Sequence, residues 1–188
     1  MGWLFEAKKR YGLSVVNDTV TSNQLQQAGN RISLVSIHHQ KVNVIAGGTG
    51  WLNTDIYSTV RRLGLETQVH FIGYVEENDL PVVYSLAAVF VYPSLYEGFG
   101  LPVLEAMQCG VPVLTSNVSS LPEVAGDAAL LVTPTEVDDI AYGLKRILED
   151  ADLRAELRAR GYQRAREFSW ERCARETLAV YKDVYDRS

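Results

Sequence analysis

From residue 42 onward, short apolar runs alternate along the chain with longer stretches in which apolar residues recur every three or four positions. The short β-branched runs suit buried strands, and the longer spacing suits helices with one apolar face. Their alternation is the rhythm of an α/β fold, a parallel sheet wrapped by helices. Strands are expected at 42–46, 69–72, 88–92, 111–115 and 129–132. Helices are expected at 55–63, with Ile56, Val60 and Leu63 on one face, at 79–86, and at 102–109. Pro102 suits a first helical position, where its missing N–H costs nothing, and Gly64 and Gly110 suit helix ends. Ser120 and Glu123 have capping-box spacing, so a brief helix should open there. Ile140, Leu144, Ile147 and Leu148 mark the next helix, and 152–166 and 170–185 complete a helical C-terminus.

Residues 1–40 are different. Positions 14–27 show neither period, and only 32–37 alternates, so 1–40 stands as an unassigned segment before a domain at 41–188. At 188 residues and 47% hydrophobic the chain has the makeup of one globular domain, able to bury roughly 70% of the surface its unfolded form exposes. The longest apolar runs, such as 86–92, fall far short of the roughly 20 residues of a membrane span. The start, with Trp3, Leu4 and Phe5 ahead of Lys8, Lys9 and Arg10, reverses the order of a secretory signal. A net charge of -5 argues against a nucleic-acid partner. Cys109 and Cys173 fit no metal-ligand spacing and read as reduced thiols of a cytoplasmic protein.

The chemistry concentrates between Pro93 and Met107. There a buried strand passes into a helix through a loop with Gly98 and Gly100. Such a junction lies at the carboxyl end of the sheet and presents free N–H groups at the positive end of a helix dipole, which makes an anion site. Glu97 and Glu105 flank it. Were the chain helical throughout, they would stand about 12 Å apart and be rotated by roughly 80°. The glycines argue against that, so Glu97 belongs on the loop rim and Glu105 in the first helical turn, both able to face one cleft. Carboxylates accept strongly from hydroxyls, so a ligand carrying phosphates and sugar hydroxyls would satisfy amides and glutamates together.

The stretch Glu97-Gly98-Phe99-Gly100-Leu101-Pro102, followed by Glu105-Ala106-Met107, resembles the signature of the group 1 (family 4) retaining glycosyltransferases. The likeness continues through Cys109 to Val113 and Ser119 to Val124, and backward through Val69 to Val75. It covers roughly three quarters of the chain, from about Lys41 to Lys182. It implies the donor-binding half of a GT-B enzyme, a Rossmann-like domain that faces a second such domain across a cleft.

On that resemblance Glu105 would hold the ribose hydroxyls of a nucleotide, and Glu97 would be the catalytic residue near the transferred sugar. Backbone groups of Gly98, Phe99, Gly100 and Leu101 would meet the sugar and diphosphate. The loop from Gly73 through Tyr74 and Val75 would line the base, and Gly47 and Gly48 would allow close approach of the ligand. The reaction implied is sugar transfer from a nucleotide diphosphate sugar to an acceptor hydroxyl with retention, with no cofactor and no metal. The acceptor, a glycan, lipid or small molecule, would be bound by an N-terminal domain absent from this sequence. The enzyme would be cytoplasmic or peripheral to the inner face of the membrane. One departure from the family stands out: its spaced arginine and lysine, which neutralise the diphosphate, have no counterpart between Met1 and Gln40.

Two alternatives stay open, a nucleotide-sugar-binding module that does not turn over alone and a related nucleotide-sugar epimerase. Simpler explanations cover most other polar residues. The adjacent His38 and His39 point opposite ways on a strand and carry no function, His70 reads as a packed or hydrogen-bonded histidine, and Arg154, Arg158, Arg160, Arg164 and Arg166 read as a solvated helix face. Trp170, Leu178, Val180 and Tyr181 read as packing residues, and the resemblance implies that their helix crosses back to the N-terminal domain.

Overall fold

The computed structural model describes residues 33–37, 43–47 and 54–187. Six strands form one sheet: β1 (Ser33–Ile37), β2 (Asn43–Ala46), β3 (Val69–Gly73), β4 (Ala87–Tyr92), β5 (Val113–Ser116) and β6 (Ala129–Val132), in the order β3-β2-β1-β4-β5-β6. The pairs β2/β3, β4/β5 and β5/β6 are parallel, as the alternating pattern predicts. β1 is the exception. It lies in mid-sheet, antiparallel to both β2 and β4. Only residues 38–42 separate it from β2, too few for the dozen or more residues of a parallel crossover, so the chain returns as a hairpin.

The helices are α1 (Thr54–Arg62), α2 (Leu80–Ser85), α3 (Leu101–Gln108), α4 (Leu121–Ala125), α5 (Val137–Glu149), α6 (Ala151–Arg166) and α7 (Trp170–Asp186). They cover both faces of the sheet, and the pleat sorts the core in two. In β4, Phe90 and Tyr92 join one cluster with Val103, Met107 and Leu121, while Val89 and Val91 join another with Ile56, Leu114, Ile140 and Ile147. Successive residues of a strand point to opposite faces, so a strand buried on both sides reads as one unbroken apolar run. Ala87–Tyr92 is buried at every position.

Because β1 runs antiparallel to both neighbours, β2 and β4 run parallel to each other. The carboxyl ends of β2, β3, β4, β5 and β6 therefore share one edge of the sheet. The connections leave β4 in one direction and β2 in the other, which is the topological switch point where open α/β sheets hold ligands. No helix among the described residues is long and apolar enough to cross a membrane.

Three local expectations are corrected. Glu105 lies beyond the first turn of α3, which holds no acidic residue, because the helix begins at Leu101. Pro102 occupies the second rather than the first position of α3, since Leu101 precedes it and Gly100 is the N-cap. The Ser120 hydroxyl does not cap α4, as the capping-box spacing suggested. It is turned back on the loop that follows β4, where two carbonyls compete for its proton.

Candidate functional site: the loop between β4 and α3

Chain geometry at this junction is imposed by Gly100. Its φ of 114° lies where side chains are strained, and a Cβ there would meet Leu121 Cδ2 at 2.8 Å. Gly98 differs, with open space where a side chain would project. The N–H groups of Gly98, Phe99, Gly100 and Leu101 have no acceptor among the described residues. They sit at the start of α3, whose dipole adds partial positive charge there.

Serines clamp this loop. The Ser119 hydroxyl donates to the Glu97 carbonyl at 2.6 Å and accepts from the Glu97 N–H at 3.0 Å. Ser120 Oγ lies 2.9 Å from the Glu97 carbonyl oxygen and 2.7 Å from that of Phe99. Ser119 adopts a φ of 61°, unusual for a residue other than glycine. Ser116 Oγ donates to the Ser94 carbonyl at 2.6 Å, which ties the start of the loop to the end of β5. A ring contact braces the other side. Phe99 meets Phe168 edge to face at 5.8 Å, and the guanidinium of Arg164 lies 4.8 Å over the Phe168 ring.

Arg164 departs from the solvated-face reading. It donates to the carbonyls of Val124 at 3.0 Å and Glu123 at 2.5 Å, satisfying groups that the end of α4 leaves unpaired. Arg154 does the same for Ile147 and Leu148 near the end of α5, at 2.7 Å each.

Both glutamates are half-buried, and each has one oxygen engaged. Glu97 Oε1 accepts from Tyr92 Oη at 2.5 Å and from Ser94 Oγ at 3.0 Å. Glu105 Oε2 accepts from Tyr84 Oη at 2.9 Å. The second oxygen of each is without a partner among the described residues. Burial, with the charge of Glu105 beside it, pushes the Tyr84 phenol well above its ordinary range. Burial and the same carboxylate also push the Cys109 thiol up.

The other expected site residues fall along the same sheet edge. Gly47 follows β2, and its N–H donates to the Gly73 carbonyl at 2.9 Å, joining the ends of β2 and β3. Tyr74 is 65% exposed beside it. Val75 turns into the core, which leaves only its backbone to a ligand. Gly48, His38 and His39 lie outside the described residues. His70 is packed in β3, its Nε2 buried without a partner among the described residues.

Sequence reasoning missed Tyr84, Tyr92, Ser94, Ser119 and Ser120. One signal was present: a tyrosine that closes an all-apolar strand, as Tyr92 does, needs a partner for its hydroxyl.

The model of the family described as "Glycosyl transferases group 1" matches residues 23–164. The chain belongs to that family. It is 48% identical over 139 residues to the O-antigen chain mannosyltransferase B of Escherichia coli, an alignment that covers 74% of this chain and 36% of that protein. Among solved structures it resembles a sucrose-phosphate synthase from Thermosynechococcus elongatus, with 33% identity and a TM-score of 0.68, over 77% of this chain and 39% of that one. It also resembles Anabaena HepE solved with UDP and glucose, with 19% identity and a TM-score of 0.74, over 97% of this chain and 52% of that one. The second likeness concerns the fold. The chain thus spans about a third of the length of the curated relative, about two fifths of the first structure and about half of the second.

Proposed function

We propose that this glycosyl transferase chain binds the donor, a nucleoside diphosphate sugar, and that the sugar is transferred with retention. The observation that carries the reading is the pair of glutamates flanking the loop, each pinned by one oxygen while the other has no partner among the described residues, beside four N–H groups that lack acceptors among those residues. Glu105 accepts the ribose hydroxyls. Glu97 accepts a hydroxyl of the sugar, next to the bond that breaks. The N–H groups of Gly98 to Leu101 and the N-terminus of α3 receive phosphate or sugar oxygens, and the open space beside Gly98 leaves room for the ligand.

In the reaction the anomeric carbon exchanges its bond to the diphosphate oxygen for one to the acceptor oxygen. The acceptor hydroxyl passes its proton to the departing diphosphate oxygen, and the amides stabilise the negative charge that develops on the diphosphate as the bond breaks. The 48% identity to a mannosyltransferase supports mannose as the sugar. Acceptor recognition belongs to the part of the relatives to which this chain does not align.

Isothermal titration with UDP, GDP and GDP-mannose tests the reading. Glu105→Ala is expected to weaken nucleoside diphosphate binding by about 1–3 kcal/mol. Unchanged affinity would remove Glu105 from the site. The partial coverage of the relatives favours a second reading, a binding module without turnover of its own. It predicts the same titration but no mannose transfer from GDP-mannose to any acceptor. The epimerase alternative is set aside because the family matched is one of transferases.

A further inference from the structure

Each site carboxylate is met by a tyrosine that belongs to the core. Tyr92 closes β4 and Tyr84 lies in the last turn of α2, and the two residues are 1% and 5% exposed. Phe90 stands between them. It stacks on Tyr92 with centroids 5.8 Å apart and planes 16° apart, and it meets Tyr84 edge-on at 5.2 Å and 79°. Three buried rings thus form one block, with a hydroxyl at each end delivered to a different glutamate. Packing alone would be served as well by phenylalanine, because a buried phenol gains only if its hydroxyl finds a partner.

We propose that Tyr84 and Tyr92 are positioning residues, Tyr84 aiming Glu105 at the ribose and Tyr92 aiming Glu97 at the transferred sugar. The proposal rests on the donor reading of the same site. A glutamate side chain has several rotamers, and ordering it when the ligand arrives would subtract from affinity. A phenol that holds one carboxylate oxygen removes that freedom beforehand and turns the other oxygen outward. Because both phenols stand on the same ring block, the two acids keep a set relation that the loop by itself, lacking a regular hydrogen-bond ladder, would not impose. Tyr84 stays a donor throughout, since burial and the carboxylate beside it both favour its protonated form.

The test separates two arms with two ligands. Titration of Tyr84→Phe, Tyr92→Phe, Glu105→Gln and Glu97→Gln uses GDP and GDP-mannose, with UDP and UDP-glucose as a parallel pair. Tyr84→Phe should weaken the nucleoside diphosphate and its sugar roughly equally, by roughly three- to tenfold. Tyr92→Phe should leave the nucleoside diphosphate unchanged and weaken only the sugar nucleotide. Melting temperatures of all variants accompany the titrations. A phenylalanine variant that binds its ligand as the wild type does, while the matching glutamine variant does not, overturns that tyrosine's role and leaves the donor reading standing. Equal loss of both ligands in both tyrosine variants, with lowered melting temperatures, makes the rings merely structural and overturns the proposal. If the glutamine variants bind as the wild type does, or the wild type binds none of the four probes, the donor reading itself falls.

Discussion

The loop between β4 and α3 and the helix at the C-terminus both expose large apolar side chains, but they are held in opposite ways. In the loop, Tyr96 and Phe99 reach solvent while the backbone beneath them is fastened by Ser116, Ser119 and Ser120 and braced by Phe168. Helix α7 exposes Trp170, Leu178, Tyr181 and Tyr185 and has no buried residue. Its order is local. Ser169 accepts from the Arg172 N–H, and Arg172 and Arg187 pair with Glu176 and Asp183 on their own helix. Exposed ion pairs of this kind contribute little. Exposure therefore means different things in the two places: in the loop it accompanies hydrogen bonds and a ring contact to distant segments, and in the helix the bonds among the described residues are to near neighbours in the chain.

The sharpest way to break this contrast is Gly100→Ala. The substitution places a Cβ at a φ of 114° and against Leu121, so it should cost about 2–4 kcal/mol in urea unfolding and abolish titratable binding of the nucleotide. A stable variant with wild-type affinity would show that the loop is not constrained as described.

Alkaline pH gives a smaller effect at the same site. Tyr84 and Cys109 have pKa values raised by folding above the ordinary 10.0 and 9.0, so the native state holds protons that the unfolded chain has released. Their stabilising contribution is complete below those ordinary values and is lost as pH climbs above them. Urea midpoints should fall as pH passes 9.0 and then 10.0, and Tyr84→Phe with Cys109→Ser should flatten that fall. An equally steep fall in the double variant would place its cause elsewhere.

The smallest effect belongs to the helix. Leu178→Ser should shift unfolding by less than about 0.5 kcal/mol, because that side chain is 52% exposed on a helix with no buried residue. A loss like that of a core leucine, about 2 kcal/mol or more, would reveal a partner for α7.

Much of the fold was legible because burial on both faces of a sheet leaves a continuous apolar run, and residues 87–92 are such a run. The site's two acids were legible because their spacing about a glycine turn is itself a sequence pattern. β1 was harder: its residues alternate, but nothing local told whether the strand would lie at the edge or in the middle, or in which direction. Ser120 shows the same limit at atomic scale. Its spacing from Glu123 is right for a cap, yet its hydroxyl had a choice of acceptors, and carbonyls more than twenty residues away took it.

Taken alone, the amino-acid order determined where most strands and helices form, where glycine must stand, and which two carboxylates flank the loop between β4 and α3, since each of these depends on neighbours within a few positions. Only the tertiary structure decided which oxygen of each carboxylate is occupied and by which phenol, and which backbone groups the serines hold. Hydrogen bonds and ring contacts between distant segments are settled by how the helices seat on the sheet, and periodicity carries no record of that.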